Sequence, residues 1–224
     1  GINHPYPIQN VNYFEYIIPG LIGMVLLFSG MQSSLSMVYD REMGVMRLLL
    51  TAPLPRWYLL TAKLFSGTFL SVIQAYVFLV ICLPIINLLV NFSTPIIGWI
   101  YILPATIIFG MMLGALGLLI SVYVKQLENF AGTMNFVIFP MFFISSALYP
   151  LWRLQDNGAE FVWWIANINP FTYGVELVRW ASLGQIYIPG LLITLICTIL
   201  FLFLATIGYD PQKGMKKNSG GKSN

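Results

Sequence analysis

Few residues in this chain could do chemistry, and those that could stand as charged groups at the edges of apolar runs. Asp40, Arg41 and Glu42 lie together in DREMGVMRLLLTAPLPR (40–56), followed by Arg47 and closed by Pro53 and Pro55. Glu176 and Arg179 stand three apart in NPFTYGVELVRW (169–180), a spacing at which two side chains of one helix can pair. Such groups suit ion pairing and partner contact. Nucleophilic and metal chemistry lack their parts. His4 is the one histidine, in the polar start HPYPIQN, and Cys82 and Cys197 lie inside long apolar runs, where a thiol behaves as a small buried hydrophobe. A zinc or haem site built from His and Cys has no ligand set. The sequence holds no G-x-x-x-x-G-K-[ST], no H-E-x-x-H and no G-x-S-x-G, so the chain by itself cradles no ATP and carries no familiar hydrolase centre.

The elements that position these groups follow from composition. Of 224 residues, 58% are hydrophobic and 8% charged, and the mean hydropathy is +0.80. Soluble domains carry about 25% charged residues. A cytoplasmic enzyme, a DNA-binding module and a disordered chain are all excluded, because this much apolar surface must face lipid. The 11 Lys and Arg are too scattered for a nucleic-acid footprint.

A helix needs about 20 apolar residues to cross a bilayer. Stretches free of Asp, Glu, Lys, Arg and His cover 16–39, 64–124, 129–152 and 180–209. The second is long enough for two spans, with its break at NLLVNFSTPIIG (87–98). Five transmembrane helices are therefore expected, at about 16–38, 57–87, 97–123, 129–149 and 187–209, in an all-α multi-pass membrane protein. Across them no carboxylate or histidine sits at mid-membrane depth, which disfavours a proton-coupled pump. Arg41, Arg47, Arg56, Lys63, Lys125, Lys213, Lys216, Lys217 and Lys222 all fall on one side, and only Arg153 and Arg179 on the other. The positive-inside rule then puts the N-terminus outside and the C-terminus, with the tail 210–224, in the cytoplasm. The chain opens on Gly1, and a further span is expected upstream.

Two segments between spans need their own account. In 40–53, Asp40 is expected to cap a short helix with Glu42 in its first turn, and Met43, Met46 and Leu50 share a face. Such a helix is too short to cross, so it lies along the cytoplasmic surface, unless the segment is a basic loop that merely fixes topology. Arg56, Trp57 and Tyr58 anchor the next span at headgroup level. Segment 150–186 is apolar yet broken, with turn signals at Asp156, Asn157 and Gly158 and at 167–170 flanking short helices at 159–166 and 171–183. A re-entrant helical hairpin at the outer face fits, with Phe161, Trp163, Trp164 and Phe171 buried against the spans or in lipid, and the Asn169 amide satisfying backbone freed at the break. The bland account is a Trp-rich outer belt. Gly110 and Gly114 in GMMLGALG are read as packing glycines, and Pro140 as a kink in the fourth span.

Three stretches resemble the permeases of type-2 ABC exporters. DREMGVMRLLLTAPLPRWYLLTAKLFSG (40–67) is similar to that family's cytoplasmic coupling segment, matching E-x-G-x-x-x-x-L-x-x-x-P at Glu42, Gly44, Leu49 and Pro53. NPFTYGVELVRW matches N-P-x-x-Y…R at Asn169, Pro170, Tyr173 and Arg179, and IIPGLIGM (17–24) looks like the start of the family's second span. The resemblance implies six spans where five are read here, with a cytoplasmic helix ahead of the first. It further implies a permease that works as a pair, homodimer or with a paralogue, beside two ATPase subunits that hold ATP and Mg, in a bacterial-type inner membrane or organellar equivalent. By that resemblance Asp40, Arg41, Glu42, Gly44, Arg47 and Pro53 couple to the ATPase. Asn169, Pro170, Tyr173, Glu176 and Arg179 belong to the outer re-entrant gate. The family handles drugs, lipids and polysaccharides, and no polar group in these spans chooses among them. The competing readings are a non-transporting structural subunit of a larger membrane complex and, further off, a membrane-embedded enzyme.

Overall fold

The computed structural model describes residues 13–43, 56–90, 96–124, 126–151 and 160–209. Among them every regular element is a helix: α1 (Tyr13–Glu42), α2 (Arg56–Val90), α3 (Ile96–Tyr123), α4 (Leu127–Phe143), α5 (Glu160–Ile168), α6 (Pro170–Ser182) and α7 (Ile188–Gly208). Four of these, α1, α2, α3 and α7, are long and apolar enough to cross a membrane. The expected span 129–149 is shorter in helical form: α4 has 17 residues and ends at Phe143, soon after Pro140 removes a backbone donor. The expected break near 87–98 is bracketed by Val90 and Ile96.

Helix α3 is the centre of the bundle and packs on α1, α2, α4, α6 and α7. Its glycines make this possible. A Cβ on Gly30 of α1 would come within 3.2 Å of the Gly114 backbone, and one on Gly117 would meet Ser34 Oγ at 2.4 Å. Without side chains at these points the α1 and α3 backbones lie nearly in contact, and close packing replaces the solvent-driven association that lipid cannot supply. The core around this seam comprises Ile22, Leu26, Leu27 and Met31 of α1 with Phe109, Met112 and Leu113 of α3. Phe109, Phe142 and Phe171 join α3, α4 and α6, with ring centroids 5.3 Å apart for Phe109–Phe171 and 6.1 Å for Phe142–Phe171.

The outward faces are as apolar as the core. Phe65, Phe69, Ile73, Val77 and Val80 of α2 and Ile196, Ile199, Phe203 and Ile207 of α7 are exposed. Contiguous apolar surface of this extent marks a face covered by lipid or protein.

One expectation about a helix end is corrected. Asp40 caps no new helix, because α1 stays helical through Glu42 and Met43 N–H still donates to Tyr39 O at 2.9 Å. The hydrophobic register of α1 runs on through Met37 and Val38, both fully buried, so the helix has no reason to stop where the first acid appears. The rest of the expected surface helix, 44–53, lies outside the described residues. Between 150 and 186 the two short helices are α5 and α6, broken at Asn169. At the end of α6, Gly184 takes a φ of 73°, Gln185 N–H reaches Trp180 O and Gly184 N–H reaches Ala181 O. This is the left-handed helix stop that glycine permits.

Candidate functional site

The residues singled out by type and spacing gather at the two ends of α1. At the end where α1 begins, the pieces come from α1, α6 and the turn that follows α4. Asn169 is the N-cap of α6: its Oδ1 accepts from Phe171 N–H at 3.0 Å, and Pro170 fills the first helical position, where no backbone donor is needed. Its Nδ2 donates to Met141 O and Ile144 O, both at 2.7 Å. One amide thus satisfies the start of α6 and two carbonyls at the end of α4. Only this orientation of the amide fits, since a carbonyl oxygen facing Met141 O and Ile144 O would find no donor. Thr172 Oγ1 donates to Ala166 O at 2.7 Å and ties α6 back to α5.

Roughly three turns beyond Asn169 along α6, Arg179 is 3% exposed and paired with Glu176. Its Nη2 donates to Ser146 O at 2.8 Å and to Tyr16 O at 3.3 Å, and its guanidinium lies 3.8 Å from the centre of the Tyr16 ring. Tyr16 Oη also donates to Ser146 O, at 2.7 Å. A charge so deeply placed is tolerable only with its counter-ion and a set of acceptors. Gly20 lets α1 close on the same turn, since a Cβ there would stand 2.4 Å from Ala147 O. Tyr173 is half-buried, and its carbonyl oxygen would lie 2.9 Å from a Cβ on Gly190, which fixes α6 against the start of α7. Of the aromatic residues expected against the spans or in lipid, Phe171 is fully buried within the protein and Trp163 half-buried, while Phe161 and Trp164 lie on the outward surface.

At the opposite end of α1, Asp40 pairs with Lys63 of α2. Arg41 Nη1 donates to Val122 O at 3.4 Å and to Val124 O at 3.3 Å, at the end of α3 and in the link to α4. Beneath them Met37, Leu60, Leu64, Leu118, Val122, Ala205 and Tyr209 form a second small core, so the ends of α1, α2, α3 and α7 converge. Glu42 is exposed as the last residue of α1. Gly44, Arg47 and Pro53 lie outside the described residues.

Reading the sequence alone missed Tyr16, Ser146 and Gly20 as parts of the first cluster, and used Lys63 only as a topological charge. Nothing local to Tyr16 or Ser146 marks them. The signal for Gly20 was its place in IIPGLIGM, beside Pro19. Neither cluster presents a nucleophile beside a base, and no group of three or more His, Cys, Asp or Glu able to hold a metal occurs among the described residues. The chemistry on offer is mechanical: charged groups that fasten helix ends.

The comparisons agree with this character. The ABC-2 type transporter family matches residues 5–183. A relative in Cyanophora paradoxa that bears the name of a transport permease, ycf38, is 30% identical over 185 residues, 78% of this chain and 59% of the relative. YbhR of Escherichia coli strain K12, named as a multidrug ABC transporter permease, is 26% identical over 182 residues, 80% of this chain and 45% of the relative. Nodulation protein J of Rhizobium leguminosarum bv. viciae is 29% identical over 86 residues, 38% of this chain and 32% of that protein. The chain spans about half the length of the relatives it matches. No solved structure matches it significantly. With most of its length matched by the family, this chain belongs to the ABC-2 type transporter family.

Proposed function

We propose that the chain is the membrane-spanning permease subunit of an ATP-driven exporter, working with a second permease copy or paralogue and with separate ATPase subunits that bind ATP and Mg. The observation that carries this reading is the convergence of charged helix ends on the base of 44–55. Asp40 and Arg41 stand just before that segment, Lys63 stands two turns after it, and the three hold α1 to α2 and to the end of α3. A segment fastened on both flanks can take a load from a cytoplasmic partner and pass it to the bundle. In this reading Asp40, Arg41, Glu42, Gly44, Arg47 and Pro53 form the ATPase-docking stretch.

The five-span topology, with the N-terminus of this chain outside, completes the reading. Helix α4 and the turn after it make the fourth span. Helices α5 and α6 form the outer re-entrant pair, with Asn169, Pro170, Tyr173, Glu176 and Arg179 holding it on the bundle. Exposed Phe161, Trp164 and Ile168 on α5 support contact with the outer leaflet, where Trp is favoured.

The test is co-purification. Mild solubilisation should bring down an ABC ATPase with the chain, and Arg47→Glu or Gly44→Pro should lower ATPase binding or uncouple it while the spans still insert. A chain that purifies with other membrane subunits and no ATP-binding partner would favour the non-transporting structural reading instead.

A further inference from the structure

Helix α4 is held to α1 beyond both of its ends. Ahead of it, Val124 O accepts from Arg41, two residues before the Gln126 N-cap. After it, Ser146 O accepts from Tyr16 Oη, and Gly20 packs on Ala147. Between these points α4 turns much of its surface outward: Glu128, Asn129, Ala131, Gly132, Asn135, Phe136 and Phe139 are exposed, and a Cβ on Gly132 would touch nothing within 4 Å. Helix α4 buries Phe130, Ile138 and Phe142 on its inward face and is fastened to α1 by polar contacts beyond its ends. The outer fastening is redundant, since Tyr16, Arg179 and Asn169 all reach the 141–146 stretch. At the inner end Arg41 reaches the link ahead of α4, and Arg41 precedes 44–53 by only a few residues.

We infer that Arg41 is a positioning residue that carries movement of the end of α1 to α4, acting as a pin between the end of α1 and the α3–α4 link. The inference rests on the docking role proposed for 44–53 and specifies where the load goes. When the end of α1 shifts, the guanidinium carries Val122 and Val124 along. The inner end of α4 follows while its outer end stays fastened, so α4 tilts about Ser146. The guanidinium suits this task because its Nη1 donates to both carbonyls and the group stays charged at any physiological pH. The unpaired carbonyls at a helix C-terminus welcome a cation there.

The experiment uses nitroxide labels and pulsed electron-spin distance measurement on the chain with its co-purified ATPase in liposomes, with Cys82 and Cys197 replaced by alanine. One pair, at Gln126 and Phe203, reports the inner end of α4 against α7. A second, at Tyr149 and Ile188, reports the outer end. ATP with vanadate should shift the inner pair in the unsubstituted protein. Arg41→Ala should abolish most of that shift, Arg41→Lys should restore part of it, and the outer pair should stay narrow throughout. A full shift in Arg41→Ala, no shift in the unsubstituted protein, or equal broadening of both pairs would each overturn the inference. If no ABC ATPase co-purifies, the proposed function itself fails and this inference with it. If the ATPase is retained and the shift survives Arg41→Ala, only the pin is refuted.

Discussion

Replacing Asn169 by aspartate separates the two jobs of its amide. Aspartate is nearly isosteric and caps a helix as well as asparagine, so the bond from Phe171 N–H survives. The Nδ2 donor is lost, however, and an oxygen takes its place against Met141 O and Ile144 O. Two hydrogen bonds at about 1 kcal/mol each disappear, and buried acceptors left facing another acceptor add about 1–3 kcal/mol. The expected loss is roughly 3–5 kcal/mol. Alanine loses the cap, worth about 1 kcal/mol, together with the same two bonds, for roughly 3 kcal/mol in all, but it brings no repulsive oxygen. Aspartate should therefore destabilise at least as much as alanine, although by helix-capping preference alone it should be almost neutral. For a chain of this size 1 kcal/mol moves the unfolding midpoint by about 2–4 °C, so the alanine variant should melt about 6–12 °C lower. The assay is thermal unfolding in detergent followed by tryptophan fluorescence, which Trp163, Trp164 and Trp180 near the site should report. An Asn169→Asp protein melting within a degree or two of the unsubstituted chain would refute the reasoning, leaving Asn169 as a helix cap and nothing more.

Glycine substitutions should split by surroundings. Gly20→Ala drives a methyl against Ala147 O at 2.4 Å, where only backbone can yield, and should cost about 1–3 kcal/mol in the same melting assay. Gly132→Ala meets nothing and should gain about 0.5–1 kcal/mol, because alanine favours the helix. Gly174→Ala places its methyl 2.1 Å from the Phe109 ring and should lower the midpoint, with Phe109→Leu in the same chain recovering part of the loss. Cysteines introduced at Ser93 and Asn157 should react with an impermeant thiol reagent from outside, and one at Ser219 should not; outside labelling at Ser219 would reverse the orientation proposed from the charge split.

The places where helices lie were legible in the sequence because span length is a local property. An uncharged run of sufficient length must become a helix in lipid, where each backbone polar group needs an internal partner. That argument located α1, α2, α3 and α7 to within a few residues, and Pro170 after Asn169 announced the start of α6 through the chemistry of its own backbone. The Glu176–Arg179 pair was readable for the same reason, as its partners are three apart on one helix. What those groups hold was decided by the tertiary structure. Tyr16 and Ser146 are 130 residues apart in the chain, and Arg41 and Val122 are 81 apart. A backbone carbonyl at a helix end looks the same whatever residue carries it, so no pattern of side chains advertises the acceptor. Ser146 takes that role because Gly20 lets α1 approach Ala147 and Asn169 fastens the end of α4, which brings a carbonyl within reach of a buried guanidinium that must find one.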